Sequence, residues 1–226
     1  MLYPTLYQRL VTMAEQEDLD VAQCNGESFF AGSQRIKTLI PLDRLSSTGV
    51  LSGSPVALRR ALATRRYLHV VWLSIYRLSL IRQLDLRFEP GLHHQDIPWT
   101  TELMFNARRV RYTQDVLYRY YIHDQSISNR KRTGMKNVEY QRHYLRIAEL
   151  LEDINQRYRG KIRLYPEFAR QVTHEALSVC HAARRMIIHD IFSTDTHKRM
   201  IRNARGIRQG YQLLLWLCRL YVWRRR

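Results

Sequence analysis

The stretch His93-His94-Gln95-Asp96-Ile97-Pro98-Trp99, running on to Tyr120-Tyr121-Ile122-His123-Asp124-Gln125-Ser126-Ile127-Ser128, carries the densest chemistry of this 226-residue chain. A Pro90-Gly91 turn introduces it. Trp99, Leu103 and Phe105 then fall at helical spacing, which predicts a helix over 99–107. Residues 110–121 follow, rich in β-branched and aromatic side chains, and read as a pair of strands, RVRYT and VLYRYYI. A helix beside strands, with carboxylate, imidazole and hydroxyl groups at the junctions, sets the class as mixed α/β.

The same reading extends outward. Residues 4–17, with Pro4 in the first turn and an apolar stripe of Leu6, Leu10, Val11 and Met13, predict a helix. Leu19–Cys24 alternates like a short strand ending in an Asn25-Gly26 turn. A second strand is expected within 29–30 or 36–40, a loop over 43–54, and a helix from Pro55 to Ala63. Residues 67–76 read as a strand or buried segment, followed by a short helix over Ser79–Gln83. From Asn137 the pattern is helical, through Leu145, Ile147, Leu150, Leu151 and Ile154, then Phe168–Ile188, then Ile201 to the end. Residues 1–128 and 129–226 are accordingly expected to be two parts: mixed α/β, then basic helices.

Composition bounds the function classes. Apolar residues make up 45% of the chain, with 14 Tyr and 4 Trp, so it is long and apolar enough to bury a core. Cys24, Cys180 and Cys218 lie far apart without a CxxC pair. That argues against a zinc knuckle or disulfide framework and fits a reducing cytoplasm. The start, MLYPTLYQRL, lacks the charged and apolar regions of a secretory signal. Leu213–Cys218, the longest apolar run, falls short of the roughly 20 residues of a membrane span, so a soluble or surface-bound protein is expected. Residues 1–128 carry a net +3 and residues 129–226 a net +14. Basic charge gathered in one half predicts an anionic partner there: nucleic acid, anionic lipid or a phosphorylated glycan.

Each candidate group has a bland reading beside the chemical one. Asp96 is either a first-turn helix residue meeting the helix dipole or a general base that takes a proton from an acceptor hydroxyl. His93 and His94 are adjacent, so in extended chain they point apart and do not easily grip one metal. His123 is either a half-buried histidine bonded to backbone or a ligand for Mn²⁺ or Mg²⁺. Ser126 and Ser128 are loop serines on spacing alone. Asp18-Leu19-Asp20 follows a helix and leads into a strand, the reverse of what a D-x-D metal motif needs, and is read as a helix terminus. His174, His181, His189 and His197 lack ligand spacing. Residues 211–226 combine aromatics, leucines and terminal arginines; they fit a docked helix with a solvated basic tail, or an element resting on an anionic membrane.

The run HHQDIPWTTELMFNARRVRYTQDVLYRYYIHDQSIS resembles the distal half of the catalytic domain of family 2 glycosyltransferases, which have a GT-A fold. YPTLYQRLVTMAEQEDLDVAQCN, STGVLSG and HVVWLSIYR agree with it. The whole chain is similar, more narrowly, to enterobacterial enzymes that add glucuronic acid to a heptose of the lipopolysaccharide core. The resemblance implies Asp96 as catalytic base and His123 as a ligand of a divalent cation, Mn²⁺ or Mg²⁺, on the donor diphosphate. It implies Trp72, Arg77, His93, His94, Gln95, Trp99, Ser126 and Ser128 as substrate-binding residues. Gln95 stands where many relatives are acidic. The implied partners are a UDP-sugar, the lipopolysaccharide core and the anionic inner face of the bacterial inner membrane, and the implied reaction is an inverting displacement.

The family's nucleotide-binding half and its D-x-D motif have no counterpart here, which gives the expectation that this chain alone transfers little or no sugar. Two rivals remain. One is a non-catalytic basic module that binds an anionic membrane or glycan. The other is a nucleic-acid binder, for which no motif speaks, so no nucleic-acid partner is expected.

Overall fold

The computed structural model describes residues 1–30, 36–39, 51–52, 54–63, 69–123, 132–160, 166–182 and 193–224. The chain divides into two compact units, Met1–Phe88 with Trp99–Lys131, and Glu89–Pro98 with Arg132–Arg226.

In the first unit, helix α1 (Leu6–Gln16) buries Leu6, Leu10 and Met13, one face at i, i+4 and i+7. The elements that follow are β1 (Val21–Phe30), β2 (Ile36–Thr38), β3 (Leu51–Ser52), α2 (Ser54–Ala63), a 3₁₀ turn (Val71–Leu73), β4 (Ser74–Tyr76) and α3 (Leu78–Gln83). Helix α4 (Asp96–Asn106) and strand β5 (Arg109–Ile122) close the unit, the unit boundary falling inside α4. The sheet runs β2-β1-β5-β3, with β4 also paired to β1. Its central pair, β1 with β5, is parallel, and the other pairings are antiparallel. Leu6, Leu10 and Met13 pack with Leu19, Ala22, Cys24, Leu73 and Leu117, so α1 covers the sheet. Burial raises the Cys24 thiol to about 11, which leaves it an inert core side chain.

Two sequence expectations fail in an instructive way. Asn25-Gly26 does not turn the chain; β1 continues through it to Phe30. The register of β1 against β5 shifts on both sides of Asn25, and the buried Asn25 Oδ1 accepts the Gly26 N–H at 2.8 Å. A Cβ on Gly26 would stand 2.8 Å from Leu39 Cδ1 and 3.1 Å from the Tyr118 carbonyl oxygen, so close packing requires glycine there. The expected strand pair over 110–121 is a single strand. Gln23 pairs with Tyr112 and Asn25 with Val116, so the extra β5 residues form an irregularity where a hairpin turn was expected. Asp115 sits in it, its carboxylate accepting from Arg9 Nε at 2.8 Å. Of the loop expected over 43–54, Leu51–Ser52 are strand β3 and Ser54 opens α2, while 43–50 and 53 lie outside the described residues.

The second unit contains α5 (Gly134–Arg157), α6 (Pro166–Ala182), α7 (Thr194–Asn203) and α8 (Ile207–Arg224). Leu145, Ile147, Leu151, Val172, Val179, Met200, Leu213 and Trp216 share one core, and Leu92 and Ile97 join it. That is why segment 89–98 belongs with these helices. The helix expected from Ile201 to the end is interrupted: Ala204 is extended and Gly206 takes the left-handed φ of +80°, which ends α7 before α8 begins. The part of the expected 168–188 helix beyond Ala182 lies outside the described residues. Ser193 caps α7, its hydroxyl accepting the Thr196 N–H at 3.2 Å. Glu152 of α5 is 3% exposed and accepts from Arg199, from Arg202 Nε at 2.7 Å and from Asn203 Nδ2 at 3.0 Å, tying α7 to α5. No helix among the described residues is long and apolar enough to cross a membrane. The expected class, a mixed α/β sheet followed by helices, holds.

Candidate active site

Asp96 opens α4, one turn earlier than the apolar spacing suggested. The turn before it is tight. His94 has the left-handed φ of +57°, and its carbonyl accepts the Ile97 N–H at 3.1 Å. Half-buried, the Asp96 carboxyl is pushed above its ordinary value by burial, while the backbone N–H groups of Asp96 and Ile97 pull the other way. A carboxylate that prefers its proton more than usual is a stronger base, and the helix terminus keeps it aimed.

Around it, in the same unit, stand side chains from one face of α5. Tyr140, His143 and Tyr144 are spaced i, i+3 and i+4. His94 Nε2 and the Tyr140 hydroxyl share a short hydrogen bond, and the His94 ring stacks on Tyr144 with centroids 5.0 Å apart. The His93 N–H donates to His143 Nδ1 at 3.3 Å, and the two imidazoles meet edge to face at 4.5 Å. Accepting at Nδ1, His143 is neutral with its proton on Nε2. Burial, then the neighbouring imidazoles, hold His94 and His143 below the usual histidine range; Arg132 adds to this at His94. The Arg132 guanidinium lies 3.8 Å from the centre of the Tyr140 ring. Gln95 is half-buried in the turn itself.

The structure thus brings His93, His94, Gln95 and Asp96 together and adds residues that sequence reasoning missed: Tyr140, His143, Tyr144 and Glu175. Tyr144 is raised to about 12, by burial first and then by the charges of Tyr140, Glu175 and Asp96. Glu175, on α6 and 8% exposed, is pushed up to about 7 by burial. The α5 triplet was readable as a helical face; the burial of Glu175 was not. Because the folded chain holds the Glu175 proton more tightly than the unfolded one, its contribution to stability is full below about pH 4. It declines as pH rises to about 7 and is flat above. Glu175→Gln should abolish that decline, stabilising the chain at about pH 8 by about 3 kcal/mol and changing little near pH 4. Thermal melts across that range measure it.

The other sequence candidates lie in the first unit. Trp72, in the 3₁₀ turn, meets Tyr118 at a tilt with centroids 4.4 Å apart and stacks on Tyr120 at 5.4 Å. Arg77 is held by Asp18 (2.6 Å) and Asp20 (2.8 Å), and donates to the Leu19 carbonyl at 2.9 Å. Asp20 Oδ2 also accepts the Arg108 N–H at 2.6 Å, so the D-x-D pair terminates α1 and clamps this corner. Trp99 is 8% exposed, edge-on to Tyr76 and stacked on Phe88, which makes it a core residue. His123 is exposed and stacks on Tyr121 at 5.7 Å. Since Tyr121 alternates with Tyr120 along β5, Trp72 and His123 lie over opposite faces of the sheet. Ser126 and Ser128 lie outside the described residues. Among the described residues no three His, Cys, Asp or Glu side chains group as a cation site requires.

Residues 133–226 match the family described as glycosyltransferase YibD, C-terminal domain. The chain is 51% identical to the uncharacterized glycosyltransferase YibD of Escherichia coli (strain K12), across 99% of this chain and 67% of that protein. The chain belongs to the YibD glycosyltransferases. It spans about two thirds of that relative's length. The uncharacterized glycosyltransferase EpsJ of Bacillus subtilis (strain 168) is 30% identical over 51% of this chain and 33% of its own length. Among solved structures, S. aureus TarS 1–349 in complex with UDP-GlcNAc covers 89% of this chain and 62% of its own at a TM-score of 0.49 and 13% identity. A second crystal structure of S. aureus TarS 1–349 covers 89% of this chain and 60% of its own at a TM-score of 0.44 and 14% identity. The YibD match spans 99% of this chain, so the glycosyltransferase resemblance read from the sequence holds at family level.

Proposed function

We propose that this YibD-type chain takes part in inverting transfer of a sugar, glucuronic acid, from a UDP-sugar to a hydroxyl of the lipopolysaccharide core, as a family 2 enzyme of GT-A type. The supporting observation is Asp96. It is a half-buried carboxylate of raised basicity at the start of α4, flanked by neutral imidazoles and tyrosines that can orient a hydroxylated acceptor. In this reading Asp96 takes the proton of the acceptor hydroxyl as its oxygen attacks the anomeric carbon; the carbon–oxygen bond to the diphosphate breaks, and UDP leaves with the electron pair. His94, Tyr140 and His143 hold the acceptor's hydroxyls. The net +14 of residues 129–226 suits an acceptor rich in phosphate and carboxylate.

The test is incubation of this chain, alone and joined to the donor-binding portion of a YibD-type relative, with UDP-glucuronate, UDP-glucose or UDP-GlcNAc and purified lipopolysaccharide core, with mass spectrometry of the product. A mass gain of one glucuronyl residue is expected with UDP-glucuronate from the joined protein, and little or none from this chain alone. No mass gain with any donor, together with an unchanged melting temperature on adding donor, would sink the proposal. A melting temperature raised by the core glycan but by no donor would favour the non-catalytic glycan-binding reading.

A further inference from the structure

Helix α8 is apolar on two sides. Leu213 and Trp216, 7% and 3% exposed, face the core of the second unit. On the other side Ile207, Tyr211, Leu214, Leu215 and Val222 recur at i, i+4, i+7, i+8 and i+15, and all are exposed, Ile207 at 94% and Tyr211 at 61%. At 100° per residue they occupy a sector about 100° wide, opposite Leu213 and Trp216. The outer face of a docked helix is ordinarily polar. A continuous exposed apolar stripe therefore marks a surface that something else covers.

Charge identifies the occupant. Arg208 and Arg219 are exposed and border the stripe along one edge, roughly 100–120° from Ile207. Between Ser193 and Arg226 there are nine Lys and Arg against a single acid, Asp195. A second copy of the chain would bring the same cations face to face, which opposes pairing. An anionic lipid surface satisfies both features, with apolar side chains below the phosphates and guanidinium groups at their level. The core contacts of Leu213 and Trp216 hold the helix flat, as an interfacial helix lies.

We propose that α8 docks on an anionic phospholipid surface, inserting Ile207, Tyr211, Leu214, Leu215 and Val222 and placing Arg208 and Arg219 on lipid phosphates. This docking is independent of the role given to Asp96.

Flotation of the full chain with phosphatidylglycerol-containing vesicles and with pure phosphatidylcholine vesicles tests it. Binding is expected on the anionic vesicles and should weaken with salt. The double variant Leu214→Asp/Leu215→Asp, at exposed positions, should retain its circular dichroism and lose at least about tenfold in partitioning. Arg208→Gln/Arg219→Gln should lose about tenfold on the anionic vesicles alone. Equal binding to both vesicle types, or unchanged partitioning of the leucine variant, overturns the proposal. So does a dimer in sedimentation equilibrium that the leucine variant dissolves, which would make the occupant a second copy.

Discussion

Asp96→Asn, made in this chain joined to a donor-binding portion, is expected to lower sugar transfer by about 10³-fold while leaving the melting temperature nearly unchanged, because general-base catalysis is commonly worth 10² to 10⁴. Asparagine suits a helix N-terminus about as well as aspartate, so the substitution spares the structural role and removes the basic one. Burial raises the Asp96 carboxyl, so the acid limb of kcat/KM for the parent chain should lie above the ordinary aspartate value of about 3.9. The base works ionised, and activity falls as pH drops through that value. Activity retained in Asp96→Asn would remove Asp96 as the base. A melting temperature lowered along with activity would return it to a helix-terminus role.

Glu152→Ala should lower the unfolding free energy of the second unit by about 3 kcal/mol, because it leaves the half-buried Arg199 guanidinium and the buried Asn203 amide without their carboxylate. Arg199 and Asn203 lose their common acceptor, and α7 loses its tie to α5. The outer partner behaves differently. Arg202 is 59% exposed, and Arg202→Ala should cost less than about 1 kcal/mol. Urea unfolding of the two variants gives the contrast. Equal effects would mean that the network is no more than surface pairing. Replacing Glu152 and Arg199 together by leucine should recover part of the loss, since an apolar pair leaves no charge unpaired.

Much of the fold could be read from the chain, and the misreadings share a cause. Helix α1 was legible because Leu6, Leu10 and Met13 repeat at the period of one face. Strand β1 was cut short because Asn-Gly suits both a tight turn and a strand irregularity, and only the close approach of Tyr118 and Leu39 to Gly26 decides between them. Gln114-Asp115 reads as a gap between two strands for the same reason: polar residues interrupt the alternation without ending the strand. Within the candidate site, Asp96 was legible as a helix start after a Pro-Gly turn. Its neighbours were not, because Tyr140 and Tyr144 come from a helix more than forty residues on and meet His94 only once α5 has folded. Glu175 carries no signal in the local sequence, because its burial comes from neighbouring helices.

The parallel pairing of β1 with β5 has a kinetic consequence. Val21 meets Val110 across 89 positions of chain, whereas α5 and α6 are consecutive in sequence. Closing so long a loop delays the central pair of the sheet relative to helices that touch their sequence neighbours. The loop also contains Leu92 and Ile97, which belong to the helical core. The slow event and the fast one are therefore threaded through each other. Neither unit is one uninterrupted stretch of chain, and synthesis must pass Ile122 before the sheet can zip along its full length.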